Sequence, residues 1–199
     1  VGMRDVEAGG GEEADQVADT LETLIRQGKI RSYGWSTDHL ECARWFSERE
    51  GCCAIEQDLN VLMGSREVLE LCREKGMASI NRSPLAMGIL SGKFTSDSLL
   101  GQDDVRGAGH EWVPFFKEGR PRPEFLKGVS AIQEILSSEG RSLVQGALGW
   151  LLAIGSHTVP IPGFKTVGQV EDIAGALLHG PLRPAQMVEI ERLLRDLRS

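Results

Sequence analysis

Apolar residues recur along this chain with two spacings, one typical of amphipathic helices and one typical of short strands. A first helix is indicated by four apolar residues at i, i+4, i+7 and i+8: Val17, Leu21, Leu24 and Ile25. It is predicted to end at Gly28, because glycine readily adopts the left-handed conformation that closes a helix. Residues 1–13 contain four glycines and four acidic residues without periodicity, so a flexible lead-in is predicted over 1–15.

Strand and helix patterns alternate along the rest of the chain. Short apolar runs predict four strands, at 30–36, 53–59, 77–82 and 158–161. Helical periodicity predicts six further helices, one around 40–46, one between Ser65 and Gly76, and four at 124–138, 143–153, 167–178 and 184–197. The segment 95–122 shows neither pattern and is predicted to be an irregular loop.

This alternation is typical of a parallel sheet with crossover helices, so the predicted fold class is α/β. Four such strands are half of a (β/α)8 TIM barrel, which normally needs about 250 residues and at least roughly 200. The chain has 199 residues and spends part of them on the 95–122 loop. We therefore expect a partial barrel, forming a single domain over 16–199.

Composition and charge narrow the classes of partner. The chain has 22 Lys and Arg against 29 Asp and Glu, a net charge of −7, which argues against a nucleic-acid partner. No run approaches the roughly 18 apolar residues of a membrane span, so no membrane partner is expected. The spacing of Cys42, Cys52, Cys53 and Cys72 matches neither a zinc site nor a disulfide framework. Reduced thiols in a cytoplasmic protein, without a metal site, are the expectation.

Two loops carry the candidate chemistry. Gly88–Lys93 is similar to a nucleotide phosphate loop, but it is one residue short, and Phe94 stands where that motif needs Ser or Thr. Lys165 and Thr166 lie where the last strand leads into a helix, and a helix N-terminus beside a lysine favours an anion such as phosphate. The alternative is that both loops are tight turns with solvated lysines.

Four segments, in this order and spacing, resemble the C-terminal half of an aldo-keto reductase. They are GKIRSYGWST at 28–37, the stretch at 67–94 that contains SPLAMGILSGKF, DDVRG at 103–107, and VPIPGFKTVGQVEDIAGAL at 159–177. The resemblance covers about residues 16–197. It implies that the partial barrel comprises roughly the last four βα units, and that the cofactor is NADP(H).

The resemblance also implies binding roles for individual residues. Ser36 and Thr37 would contact the nicotinamide carboxamide. The position of a usual Gln falls on Glu56, with Gln57 next to it, so either the strand shifts by one residue or an acid replaces the amide. Arg82 stands where an aromatic residue often stacks on the nicotinamide ring, and a planar guanidinium can also stack. The phosphates and the adenosine would be bound by the remaining candidates: Ser83, Leu85, Gly88, Lys93, Gly163, Lys165, Thr166, Gln169 and Asp172.

In the family that these segments resemble, a hydride passes from the nicotinamide to a carbonyl, and a tyrosine donates the proton. That tyrosine and its Lys, Asp and His partners come from the first four βα units, so no catalytic residue can be assigned here. The single tyrosine, Tyr33, lies inside a predicted strand and is expected in the core.

The predicted function is an NADP(H)-binding oxidoreductase that at most weakly reduces small carbonyl compounds. The alternative is a catalytically inactive NADP(H)-binding protein, or a fragment of a longer reductase. A partial barrel has open sheet edges, which predicts a homo-oligomer formed through them. Trp112, Phe115 and Phe116 are expected in a surface loop that folds over the barrel mouth, with less to cover than in a full barrel.

Overall fold

A computed structural model describes residues 11–197 of the protein. Over these residues the helices are α1 (Glu12–Arg26), α2 (Leu40–Ser47), α3 (Arg66–Lys75), α4 (Pro123–Leu136), α5 (Leu143–Ile154), α6 (Val167–His179) and α7 (Pro184–Asp196). The strands are β1 (Tyr33–Ser36), β2 (Cys52–Asn60), β3 (Met63–Gly64), β4 (Ala78–Arg82), β5 (Phe116–Lys117), β6 (Arg120–Pro121) and β7 (Thr158–Pro160). Short 3-10 segments lie at Ala86–Ser91 and Ser138–Gly140.

The described chain divides into two compact units. Unit one contains the residues up to 59, together with 63–82 and 157–161. Unit two contains 60–62, 83–156 and the residues from 162 onward. Unit one therefore holds the main sheet with α1, α2 and α3, and unit two holds α4 to α7.

Unit one is built on a parallel sheet with the strand order β1-β2-β4-β7, and β3 also pairs with β2. Each neighbouring pair in this order is parallel, with register partners that include Trp35 with Ile55 and Asp58 with Arg82. The predicted α/β class and parallel sheet are confirmed. The helices follow the strands along the chain, as parallel pairing requires.

The core of unit one lies between the sheet and its helices. Trp35 of β1 stacks on Phe46 of α2, with ring centroids 3.7 Å apart and an interplanar angle of 15°. Both side chains are fully buried, as is Ile55 beside them. Ala14 and Ala18 bring α1 into the same apolar cluster. Because large aromatic rings bury much apolar area, this stack stabilises the attachment of α2 to the sheet.

Unit two is a helical unit in which α5 packs against α4 and α6, and α4 also packs against α7. Gly146 of α5 permits the close approach of α4, since a Cβ atom there would lie only 2.0 Å from the carbonyl oxygen of Leu136. Ile132, Leu151 and Ile190 are fully buried among these helices. No helix within residues 11–197 has both the length and the apolar character needed to cross a membrane.

The structure differs from the sequence predictions in two segments. Helix α1 begins at Glu12, inside the predicted lead-in, because Glu12, Glu13 and Asp15 place acidic side chains in its first turn. Residues 1–10 of that lead-in lie outside the described residues.

The second difference lies within the predicted 95–122 loop. Residues 116–121 form the β5–β6 hairpin, whose turn uses Glu118 and Gly119 at φ angles of 52° and 75°. Phe115 and Phe116 are buried, and only Trp112 of the three loop aromatics is exposed, so this loop packs two of its aromatic side chains into unit two. The two phenylalanines have partners of their own, since Phe115 packs on Phe125 and Phe116 packs on Phe94.

Candidate functional site

The loop that follows β4 has an unusual backbone. Ser83, Ala86 and Met87 have φ angles of 49°, 49° and 52°, in the left-handed region that favours glycine, and Gly88 follows at 99°. Such conformations are costly for residues with a side chain and are concentrated at functional sites. Asn60 helps to hold the start of this loop, because its Nδ2 donates to the carbonyl oxygen of Ser83 at 3.1 Å.

Arg106 fixes the middle of the same loop. Its Nη1 donates to the carbonyl oxygen of Met87 at 3.1 Å, and its guanidinium carbon lies 5.3 Å from the ring centroid of Phe94. Its Nε and Nη2 donate to the two carboxylate oxygens of Asp104, at 2.7 and 2.5 Å. This bidentate pair holds the pKa of Asp104 well below its usual range.

Lys93 lies beside Arg106 in unit two, with its ammonium 4.9 Å from the ring centroid of Phe94. Partial burial lowers the pKa of Lys93, and the positive charges of Arg106 and Lys165 lower it further. The positive charges of Lys93, Arg106 and Lys165 therefore interact with one another within unit two. We call Lys93, Arg106 and Lys165 the cation cluster.

The N-terminus of α6 lies next to Lys165. Thr166 caps the helix, since its Oγ1 accepts the backbone N–H of Gln169 at 3.3 Å. The Gln169 side chain completes the capping box: its Oε1 accepts the backbone N–H groups of Lys165 and Thr166 at 2.7 and 3.3 Å. Gly163 precedes this turn, and a Cβ atom at its position would meet nothing within 4 Å. This exposed helix start is suited to an anion, because helix N-termini carry a partial positive charge.

Asp172, a predicted adenosine contact, makes a contact between helices. Its Oδ1 accepts the hydroxyl of Ser142 at 2.6 Å, and its carbonyl oxygen accepts Nε2 of Gln145 at 3.2 Å. Ser142 also caps α5 by accepting the backbone N–H of Gln145. Asp172 thus connects α6 to the start of α5, and its cofactor role stays a prediction.

In unit one, Ser36 and Thr37 lie at the carboxyl end of β1, where parallel-sheet proteins place their ligands. The backbone N–H of Thr37 donates to the carbonyl oxygen of Glu56 at 2.9 Å, and its Oγ1 accepts the N–H of His39 at 3.1 Å. Ser36 and Glu56 are register partners, so their side chains leave the same face of the sheet.

Gln57 points to the other face of β2, the face of Ile55 and the helices, and it is fully buried. Its Nε2 donates to Oγ of Ser79 at 2.9 Å, and Nδ2 of Asn81 donates to the same oxygen at 2.9 Å. The side-chain amide oxygens, Oε1 of Gln57 and Oδ1 of Asn81, have no hydrogen-bond partner within the described chain. Of the two alternatives at this position, the geometry favours Glu56, which lies beside Ser36.

Arg82 ends β4 in an ion-pair cluster that the sequence reasoning missed. Its Nη2 contacts Oδ2 of Asp38 and lies 3.2 Å from Oδ2 of Asp58. The available signal was that all three residues lie at or near the carboxyl ends of neighbouring parallel strands. Arg106 and Asp104 were also missed as site residues, although both lie in the DDVRG segment that carries the resemblance.

Tyr33 is buried in the core of unit one, as predicted. Burial raises the pKa of its hydroxyl to about 12, and that hydroxyl has no hydrogen-bond partner among the described residues. A phenol in this environment is held neutral and away from solvent.

All four cysteines are free thiols. The cytoplasmic location of the protein stays a prediction.

A parallel sheet of strand–helix units defines an α/β protein. Residues 9–195 match the family model described as "Aldo/keto reductase family", and the chain belongs to that family.

Among curated relatives, the chain is 35 % identical over 168 residues to pyridoxal reductase, chloroplastic, of Arabidopsis thaliana. This match covers 80 % of the chain and 42 % of the relative. The chain is also 26 % identical over 170 residues to the aldo-keto reductase yakc of Schizosaccharomyces pombe, whose name includes NADP(+). This second match covers 82 % of the chain and 48 % of the relative. The chain thus spans about half the length of the curated relatives it matches.

Solved structures show the same fold. The glycerol dehydrogenase of Gluconobacter oxydans matches with a TM-score of 0.73 and 22 % identity, over 92 % of this chain and 54 % of that one. An aldo/keto reductase of Klebsiella pneumoniae, in complex with NADP and acetate, matches with a TM-score of 0.64 and 19 % identity, over 89 % of this chain and 53 % of that one.

Proposed function

We propose that the protein binds NADP(H) and at most weakly reduces small aldehydes or ketones. The observation that carries the proposal is the cation cluster of unit two, adjoining the capped start of α6. Lys93, Lys165 and Arg106 place three positive charges in this region, and Asp104 pairs with Arg106. The three positive charges suit a dinucleotide that carries a pyrophosphate and a further phosphate.

The residues of unit two fit such a group. A Cβ atom at Gly88 would lie 3.2 Å from the Phe94 ring and 3.3 Å from Cε of Lys93, so glycine permits the close approach of these two side chains to the loop. The mixed cluster of one guanidinium and two ammonium groups matches phosphate chemistry.

The candidate residues of the two loops have roles in this proposal. Lys93 offers the point charge for the pyrophosphate, and the 83–88 backbone supplies the loop around it, including Ser83, Leu85 and Gly88. Lys165 binds the 2′-phosphate beside the α6 N-terminus, where Gly163, Thr166 and Gln169 shape the turn. For unit one, taken by itself, the resemblance implies that Ser36, Thr37 and Glu56 or Gln57 offer polar groups to the carboxamide.

NADPH, when bound, supplies the hydride for carbonyl reduction. The chain would orient the ring through the side chains at the ends of β1, β2 and β4. Proton donation is the weak step, because the hydroxyl of Tyr33 is buried in the core of unit one and its raised pKa makes it a poor acid. A positioned general acid contributes typically 10²- to 10⁴-fold, so turnover without one is expected to be slow.

The environment of Tyr33 favours a second candidate, an NADP(H)-binding protein without turnover. The two are separated by NADPH consumption with a reactive dicarbonyl. Consumption above the rate without protein supports the reductase. Saturable binding without consumption supports the binding protein.

The first test is a titration with NADPH, followed by tryptophan fluorescence, with NADH as the control. We expect saturable binding that is tighter for NADPH, since only NADPH offers the 2′-phosphate to Lys165. Equal binding of both nucleotides would contradict the role of Lys165. No binding of either to folded protein would refute the proposed cofactor.

Two further proposals concern the domain organisation of the chain and its association with other copies. We propose that residues 16–199 form one partial barrel that corresponds to roughly the last four βα units of the family fold. We propose that copies of the chain associate through the edges of the sheet. The alternative is that the chain functions as part of a longer reductase.

A further inference from the structure

Helix α6 has a second apolar side, which faces away from its neighbour α5. On the α5 side, Asp172 accepts the hydroxyl of Ser142. On the same side, a Cβ atom at Gly175 would lie 2.5 Å from Nε2 of Gln145. At 3.6 residues per turn, the opposite side of the helix carries five apolar residues. These residues, which we call the outer stripe, are Val167, Val170, Ala174, Leu177 and Leu178.

The outer stripe is open to solvent in the described chain. Val167, Leu177 and Leu178 are 75, 73 and 91 % exposed. Val170 and Ala174 lie between them and are exposed as well. A surface helix normally turns its apolar residues inward, and contiguous exposed apolar patches mark interaction sites. The outer stripe is therefore suited to be buried against a partner.

The spacing of the outer stripe indicates that this partner is another helix. Val167, Val170, Ala174 and Leu177 follow one another at steps of three, four and three residues. This is the a/d pattern by which helices pack side by side in coiled coils.

The outer stripe is also its own complement. Turning a copy of α6 end over end about the level of Asp172 places Val167 opposite Leu177. The same rotation places Val170 opposite Ala174, whose small side chain allows the two helices to approach closely. A twofold interface requires such self-complementarity, because the same residues contribute from both sides.

The size and charge of the outer stripe suit a second copy of the chain. Its exposed side chains amount to on the order of 600 Å² per copy, so a pair would bury about 1,200 Å², the lower end of the range for stable interfaces. The outer stripe contains no charged residue, so its burial strands no charge. Antiparallel packing also sets the positive end of each helix beside the negative end of the other.

We propose that two copies of the chain pair through the outer stripe, with their α6 helices antiparallel and Val167 of one copy opposite Leu177 of the other. This contact lies wholly within unit two, whereas the association proposed above uses the sheet edges of unit one. It does not depend on the binding of NADP(H).

The first test measures the dissociation constant of the dimer by analytical ultracentrifugation. Leu177→Lys should raise this constant at least about tenfold, because each copy loses a buried apolar side chain and gains a charge at the contact. Val188→Lys is the matched control, since Val188 is an exposed apolar residue of α7 in the same unit. It should leave the constant unchanged.

A charge-pair variant tests the antiparallel alignment. Val167→Glu alone should weaken the dimer as Leu177→Lys does. The double variant Val167→Glu, Leu177→Lys should restore pairing, because each introduced carboxylate lies opposite an introduced ammonium of the other copy. The two positions are about 15 Å apart along their own helix, so the new charges cannot pair within one chain.

Disulfide trapping gives a readout that does not rely on charged variants and decides the matter if these do not fold. All proteins carry Cys53→Ser, which removes an exposed native thiol. A mixture of Val167→Cys and Leu177→Cys proteins should form linked dimers in oxidised glutathione, whereas either protein alone should not.

A dimer that persists in Leu177→Lys and is lost in Val159→Lys would overturn this inference and leave association through the sheet edges in place. Linkage of identical positions, or a double variant that stays dissociated, would overturn the antiparallel alignment. Wild-type protein that is monomeric at every concentration would overturn both contacts, and NADPH binding by that monomer would leave the proposed function intact.

Discussion

Single charged side chains carry the anion site that we propose for unit two. Lys93 and Lys165 provide ammonium groups, and Arg106 adds a guanidinium whose position is fixed by Asp104 and by the carbonyl oxygen of Met87. Arg106 thereby contacts both the left-handed backbone at Met87 and the carboxylate of Asp104. The two acidic partners of Arg82 in unit one show the same arrangement, in which carboxylates orient a guanidinium rather than bind a ligand.

Lys165→Gln should weaken NADPH binding and leave NADH binding unchanged. A hydrogen bond to a charged group contributes about 1.5–3 kcal/mol, so the NADPH Kd should rise roughly tenfold to a hundredfold. Lys127→Gln is the matched control, because Lys127 is an exposed lysine of α4 in the same unit. Fluorescence titration measures both constants, and an equal loss for NADPH and NADH would argue against a 2′-phosphate contact.

Asp104→Asn should destabilise the protein at neutral pH by about 1–3 kcal/mol, since the half-buried Arg106 loses its charged partner. The folded-state pKa of Asp104 lies below its unfolded value of about 3.9. Its stabilisation is therefore fully present above that pH and is lost as the pH falls toward the folded-state pKa. Urea unfolding at pH 7 and near pH 3 should show the difference between wild type and variant shrinking. A difference that grows in acid would contradict the ion pair.

At the level of elements, the seven helices and the four strands of the parallel sheet were predicted from periodicity to within a few residues. Each is long enough, or apolar enough, for its pattern to be visible in the sequence. The two-residue strands β3, β5 and β6 were not predicted, because two residues carry no period. Arg106, Asp38 and Asp58 were missed as site residues because ion pairs depend on proximity in space, which spacing along the chain does not report.

Two glycines in helices provide a matched test of packing. Gly146→Ala places a Cβ atom 2.0 Å from the Leu136 carbonyl oxygen, which forces α4 and α5 apart. We expect a loss of about 1–3 kcal/mol in the free energy of unfolding. Gly168 of α6 has nothing within 4 Å of the same position, so Gly168→Ala should stabilise by up to about 1 kcal/mol. Thermal unfolding distinguishes the two, and losses of equal size would contradict the packing of α5 on α4.

For the whole molecule, the proposed partial barrel raises the question of what the sheet edges pair with. Strands β1 and β7 end the strand order of the described sheet, and Val159 of β7 is 45 % exposed. Unpaired edges with exposed apolar residues favour association. The chain covers about half of each relative, and this share fits both self-association and assembly within a longer reductase.

Light scattering after size-exclusion chromatography should give a mass that corresponds to two or more copies of the 21.7 kDa chain. Val159→Lys places a charge on the β7 edge and should shift the protein toward monomer. Val188→Lys is the control, because Val188 is an exposed valine of helix α7 in unit two. A wild-type monomer at all concentrations tested would contradict association through the sheet edges.

The buried side-chain amides of β2 and β4 influence the register in which these two strands pair. Gln57 and Asn81 converge on Ser79 only in the observed alignment of the two strands. A slip of β2 by one residue would turn Glu56 and Asp58 toward the face that packs on the helices, and a slip of β4 would turn Arg82 toward it. Misaligned sheets would thus bury unpaired charge, whereas the native one buries uncharged amides. Gln57, Ser79 and Asn81 therefore favour the native strand register during folding, independently of any ligand.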